Sequence, residues 1–181
     1  MLEIQDKINK AFDSLKDKFS YKNKMQAPKL EKIVLSVGVG RDKGDKKKLS
    51  VILDRLTKIT GQKPSSSAAK KSIAAFKLRE GEIVGYKTTL RGNSMNFFFD
   101  KFVAIIIPRM KDFRGISKKS IDEMGNLTIG IKEHIVFPET GDEEIKDIFG
   151  LSVTLVSTAS NKEEALAFFE YLGIPFKKDK K

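Results

Sequence analysis

The chain contains no cysteine, so disulfides, thiolate metal sites and cysteine nucleophiles are excluded. Its single histidine, His134, rules out histidine pairs as metal ligands and leaves little material for a serine–histidine relay. His134 closes an apolar alternation and reads as a surface or sheet residue. No phosphate loop of the form G-x-x-x-x-G-K-[ST] occurs. Gly38-Val39-Gly40-Arg41-Asp42-Lys43-Gly44 follows a strand-like run but lacks the G-x-G-x-x-G spacing, so it reads as a glycine-rich turn letting backbone approach a phosphate, or simply a tight loop. No apolar run approaches the roughly 18 residues of a membrane span. The longest, Phe97 to Ile107, contains Asp100 and Lys101 and runs into Pro108. Met1-Leu2-Glu3-Ile4 lacks the charged-then-apolar layout of a signal peptide. The expectations are a cytoplasmic protein with no membrane partner, no cofactor and no catalytic or metal-binding residues.

What the chain does have is apolar material and positive charge. Its 181 residues are 40% hydrophobic and include 13 Phe, enough for a folded core. Lysine and arginine number 35 against 24 acids, a formal charge of +11 that calls for an anionic partner. The charge is clustered. Residues 62–92 carry Lys63, Lys70, Lys71, Lys77, Arg79, Lys87 and Arg91 against Glu80 and Glu82, net +5. Residues 101–119 carry Lys101, Arg109, Lys111, Arg114, Lys118 and Lys119 against Asp112, again +5. Residues 133–147 reverse the sign, with Glu133, Glu139, Asp142, Glu143, Glu144 and Asp147 against Lys146, net −5. Clustered cations neutralise phosphates and release counterions, so the two basic segments read as a nucleic-acid footprint rather than a merely solvated face.

Ile4, Ile8, Phe12, Leu15 and Phe19 recur at three- and four-residue steps and predict a helix over 2–19. A strand follows over Leu30–Val39, then a basic loop ending in Lys46-Lys47-Lys48. A helix bearing Leu49, Ile52, Leu53, Leu56 and Ile59 follows, with Gly61 as its stop. Residues 64–91 read as strands around an exposed loop, with Val84, Tyr86, Thr88 and Leu90 at period two. A third helix starts at Gly92-Asn93 and is expected to end at Pro108. Leu127, Ile129 and Ile131, then Leu151, Val153 and Leu155, mark two further strands. Ser160 with Glu163 suggests a capping box for a last helix closed by Gly173. The pattern predicts α+β: a mainly antiparallel sheet with helices packed on one side. It is read as one RNA-binding domain over 1–176, with a basic tail over 177–181.

Phe76 lies in Lys70-Lys71-Ser72-Ile73-Ala74-Ala75-Phe76-Lys77-Leu78-Arg79. An aromatic among cations can stack on an unpaired base while its neighbours hold phosphates. The same residues could instead fold back into the core, and the segment alone leaves the two readings even. Asp142, Glu143 and Glu144 could bind magnesium in a metal-dependent nucleic-acid enzyme, although an exposed acidic turn is far commoner. A general RNA chaperone is a third reading.

Several blocks, in order, carry a resemblance. They are Pro28-Lys29-Leu30-Glu31-Lys32-Ile33-Val34, Ile59-Thr60-Gly61-Gln62-Lys63-Pro64, Ala69-Lys70-Lys71-Ser72-Ile73-Ala74, Phe76-Lys77-Leu78-Arg79-Glu80-Gly81, Thr89-Leu90-Arg91-Gly92, Pro108-Arg109, Asp112-Phe113-Arg114-Gly115 and Gly130-Ile131-Lys132-Glu133. From Tyr21 to Phe176 the chain resembles the universal fifth-protein family of the large ribosomal subunit, in its bacterial type. The resemblance implies binding to 5S ribosomal RNA and large-subunit RNA in the central protuberance, beside neighbouring proteins there. It also implies contact with the elbow of the peptidyl-site tRNA and a bridge to a protein of the small-subunit head. The 5S contact would fall on Ser36, Gln62, Phe76 and Thr89. Lys63, Lys70, Lys71, Lys77, Arg79, Arg91, Arg109 and Arg114 would supply basic support. The loop over 69–81 would reach tRNA, and Glu139, Asp142, Glu143 and Glu144 would serve the bridge. The chain departs from the pattern at Ser36, where the family usually has Asn, and at Ala68, Ser94 and Met124, where relatives usually carry Arg. Ser65-Ser66-Ser67 replaces a more apolar stretch.

Overall fold

The computed structural model describes residues 3–40, 45–111, 113–140 and 148–177. Helix α1 (Glu3–Phe19) turns Ile4, Ala11 and Leu15 inward. A short 3-10 turn capped by Asn23 then leads into β1 (Leu30–Gly38). Helix α2 (Lys46–Thr60) begins earlier than its apolar periodicity predicts. Lys46, Lys47 and Lys48, expected in the preceding loop, form its first turn. Lysines there oppose the helix dipole. The Asp45 carboxylate offsets this by accepting from the amides of Lys47 at 3.0 Å and Lys48 at 3.2 Å, a cap worth about 1 kcal/mol. Gly61 ends the helix with φ +67°, a left-handed conformation that suits glycine.

Strands β2 (Ser65–Ala68) and β3 (Ile83–Leu90) pair antiparallel, with Ser65 opposite Lys87 and a register shift between Ser67 and Ala68. The helical run that opens with α3 (Gly92–Lys101) ends one residue past Pro108, close to the expected stop. It runs through a π-helical turn, Phe102–Ile106, into α4 (Ile107–Arg109). In a regular helix the proline ring would collide with the carbonyl four residues back. The wider turn, in which the Ile107 amide donates to the Phe102 carbonyl, opens the spacing just before Pro108. Strands β4 (Leu127–Ile131) and β5 (Leu151–Ser157) and helix α5 (Lys162–Tyr171) complete the elements. The five strands form one antiparallel sheet in the order β2-β3-β1-β5-β4, and the fold is α+β.

Two compact units emerge. One comprises Met1–Ile33, Leu90–Ile129 and Thr154–Lys181, the other Val34–Thr89 and Gly130–Val153. In the first, α1 packs on α3 and α5. Its core holds Phe98, Phe99, Phe102, Phe168 and Phe169, each worth about 1.5–3 kcal/mol of burial. Tyr21 donates its hydroxyl proton to Glu164 Oε1, and Glu164 Oε2 accepts the Ser160 amide at 2.7 Å. Glu164, not Glu163, therefore ties down the start of α5, and Asn161 holds the cap position. Burial, reinforced by the Glu164 carboxylate, raises the Tyr21 pKa well above the ordinary tyrosine value. In the second unit, Ile52, Leu56 and Ile59 of α2 are buried with Leu35, Val37, Phe137, Leu151 and Val153.

Candidate nucleic-acid interface

The second unit contains a sheet face that burial leaves open. On β1 the buried residues Leu35 and Val37 flank the half-buried Ser36. On β5 the half-buried Ser152 sits between buried Leu151 and Val153. On β3 the side chains of Tyr86 and Thr88 are buried, while Lys87 is exposed and Thr89 half-buried. Strand alternation therefore places Ser36, Ser152, Lys87 and Thr89 on the less buried face. Ser36 Oγ and Ser152 Oγ lie 2.8 Å apart. Hydroxyls and a lysine on an open face can hold phosphate and ribose oxygens without reading bases.

The connection from β2 to β3 is a self-supported hairpin in the same unit. Ile73 and Leu78 exchange backbone bonds at 2.9 and 3.1 Å, and the Ala69 amide donates to the Glu82 carbonyl at 2.8 Å. The Glu80 amide donates to Ser72 Oγ at 2.9 Å. Lys77 caps the short turn Ala74–Phe76 in the left-handed region, at φ +48°. These bonds close the hairpin on its own backbone, and its side chains turn outward. Lys70, Lys71, Lys77 and Arg79 are exposed. Phe76 is 73% exposed and Ile73 43%, so neither folds into the core. Gln62 and Lys63, also exposed, follow Gly61 and lead through Pro64 into β2, which carries the hairpin. Thr60 Oγ1 lies 2.7 Å from the Leu56 carbonyl and 2.9 Å from the Gln62 carbonyl, and accepts from the Gln62 amide at 3.3 Å, which holds the backbone there. Ser36, Gln62, Lys63, Lys70, Lys71, Phe76, Lys77, Arg79 and Thr89 thus all belong to one compact unit.

The three remaining basic residues of the predicted interface belong to the other unit. Arg91, at the N-cap of α3, Arg109, in α4, and Arg114 are all exposed. Arg114 precedes Gly115, whose φ of +90° lets the chain pass close to the C-terminal segment. A β-carbon there would lie 2.8 Å from the Lys177 nitrogen. The Ile116 amide donates to the Pro175 carbonyl at 2.9 Å, and the amide of Lys177, the first residue of the expected tail, donates to the Ile116 carbonyl at 2.9 Å.

Of the predicted acidic bridge, Glu139 is exposed in a 3-10 turn, Pro138–Thr140. Asp142, Glu143 and Glu144 lie outside the described residues, as does the loop over 41–44. Nearby, His134 corrects the expectation of a surface position. It is buried in a 3-10 turn, with Nε2 3.0 Å from Arg55 Nη1 and its ring stacked on Phe149 at 4.2 Å. Arg55 on α2 is buried as well, so the pair joins the start of the acidic segment to α2. Neither Arg55 nor Ser152 stood out in the sequence, because the partners of both lie far along the chain. Among the described residues no group of three acids or histidines gathers to hold a metal ion. No helix among them is long and apolar enough to cross a membrane.

Residues 23–79 match the family described as Ribosomal protein L5, and residues 83–176 match the model of that family's C-terminus. Both matches follow the order of the sequence blocks quoted above, and they cover both compact units. The chain belongs to the ribosomal protein L5 family, whose members are RNA-binding proteins of the large ribosomal subunit acting in translation.

Proposed function

We propose that the chain binds 5S ribosomal RNA in the central protuberance as a structural, non-catalytic protein of cytoplasmic ribosomes. The observation that carries this is Phe76, 73% exposed on a hydrogen-bonded hairpin among exposed lysines, in the same compact unit as an open hydroxyl-bearing sheet face. A flat ring can stack on an unpaired base while Lys70, Lys71, Lys77 and Arg79 hold the flanking phosphates. Ser36, Gln62 and Thr89 then meet the backbone of the same RNA. The tip of the hairpin reaches the elbow of the peptidyl-site tRNA. Arg91, Arg109 and Arg114 steady neighbouring large-subunit RNA. The acidic segment containing Glu139 faces away from phosphate, toward a basic protein of the small-subunit head.

The test is binding of purified protein to 5S RNA and to an unrelated folded RNA across a salt series. With about five phosphates engaged, the log–log slope of affinity on salt is expected between about −3 and −5, with clear preference for 5S RNA. A nearly flat dependence would refute the electrostatic footprint. Equal affinity for both RNAs would refute the 5S assignment, and turnover of RNA with magnesium would refute the non-catalytic one.

A further inference from the structure

We infer that Ser152 is a positioning residue that aims the hydroxyl proton of Ser36 at an acceptor oxygen of the bound RNA backbone. The inference rests on the proposed RNA-binding face. A lone serine hydroxyl rotates freely and presents donor or acceptor as chance dictates. Ser36 is not alone. Its Oγ lies 2.8 Å from Ser152 Oγ, an ordinary hydroxyl–hydroxyl bond that holds one proton between the two oxygens. The Ser152 proton has two acceptors, Ser36 Oγ at 2.8 Å and the Ser36 carbonyl at 3.5 Å. Either oxygen can donate across the 2.8 Å gap; we assign the donor role to Ser152, because the reverse arrangement would leave the Ser152 proton only the Ser36 carbonyl at 3.5 Å, the limit of hydrogen bonding. Ser36 then cannot spend its own proton on Ser152. With Leu35 and Val37 buried behind it, that proton points from the open side of the sheet. The exposed Lys87 shares this face and favours an oxygen-rich anionic ligand there. An acceptor on the RNA lengthens the chain to Ser152 Oγ–H to Ser36 Oγ–H to RNA oxygen, and each bond in such a chain polarises the next.

The experiment is a double-mutant cycle in 5S RNA binding with full-length protein, thermal unfolding serving as the check on fold. Ser36→Ala and Ser152→Ala are each expected to weaken binding about 2- to 10-fold, the range of one hydrogen bond. The double variant is expected to bind about as well as Ser36→Ala alone, because the two residues act as one unit. Ser152→Thr keeps a hydroxyl on a strand and is expected to restore wild-type affinity, which a merely structural role for the serine would not require. A 2′-deoxy version of the RNA separates the two sources of acceptor. A Ser152→Ala defect that persists on it assigns a phosphate oxygen, and one that disappears assigns a ribose hydroxyl. If Ser36→Ala weakens binding and Ser152→Ala does not, or if the two losses multiply, the positioning role is overturned while the RNA face stands. If no variant differs from a wild type that still selects 5S RNA, the inference falls and 5S binding stands. If the wild type itself does not select 5S RNA, the functional reading has failed, and the inference with it.

Discussion

Replacing Phe76 with alanine separates a ring that meets RNA from a ring that holds the protein together. Phe76 is 73% exposed, so only about a quarter of its side chain is covered in the free protein. A phenylalanine offers roughly 200 Å² for burial. At about 25 cal/mol per Å² the covered part is worth at most about 1.3 kcal/mol. Such a loss lowers the melting temperature of a chain of this size by at most about 3–5 °C. Phe99, 1% exposed, is the matching control, because Phe99→Ala removes a fully buried ring and costs about 3–5 kcal/mol. Against RNA the order reverses. Stacking on one base is worth about 1–3 kcal/mol, so Phe76→Ala is expected to weaken 5S binding by about 5- to 150-fold. The assays are thermal unfolding without RNA and titration of labelled 5S RNA at fixed salt. A stability loss in Phe76→Ala as large as that in Phe99→Ala, or unchanged RNA affinity, would refute the reasoning.

Other outcomes follow from the remaining contacts. Because Tyr21 holds its proton more tightly when folded than unfolded, the unfolded chain loses it first as pH rises past about 10. Stability is therefore expected to fall above that pH in the wild type and less steeply in Tyr21→Phe, by unfolding across an alkaline series; identical curves would show that the Glu164 bond contributes nothing. Arg55→Ala removes the group facing Nε2 of buried His134 and is expected to cost about 2–4 kcal/mol, with hydrogen exchange quickening first over 134–140. A loss under about 0.5 kcal/mol would place the pair at a site that water already reaches. Converting Asp142, Glu143 and Glu144 to Ser is expected to leave 5S binding unchanged or slightly stronger and to weaken subunit joining modestly, mainly at low magnesium. Exposed pairs are each worth only about 0.2–1 kcal/mol, and a clear loss of 5S affinity would put the acidic segment at the RNA.

Features repeated along the chain were readable from it. The inward stripe of α1, the alternation of β3 and the apolar face of α3 are local periodicities, and each element lies where they predict. Local chemistry that competes with periodicity was harder to read. The lysines at the start of α2 look like loop until Asp45 is seen capping them, and the π turn ahead of Pro108 leaves no mark in the apolar pattern. Of the candidate site, the basic hairpin was legible as charge, whereas the outward direction of Phe76 was not. That direction depends on backbone bonds closing the hairpin beneath it. Pairs formed across the fold left no local trace. Ser36 meets Ser152 from 116 positions away and Arg55 meets His134 from 79, so no window of sequence contains both members of either pair.

The strand order leaves β2 at a margin of the sheet, with one flank bonded to β3. A free strand margin is where a second copy of a chain can add itself. Here the margin is four residues long, Ser-Ser-Ser-Ala, entered from Pro64 and thrown out of register after Ser67. It is too short and too polar to seed a growing stack of copies, and the shift spoils the repeat that a stack would need.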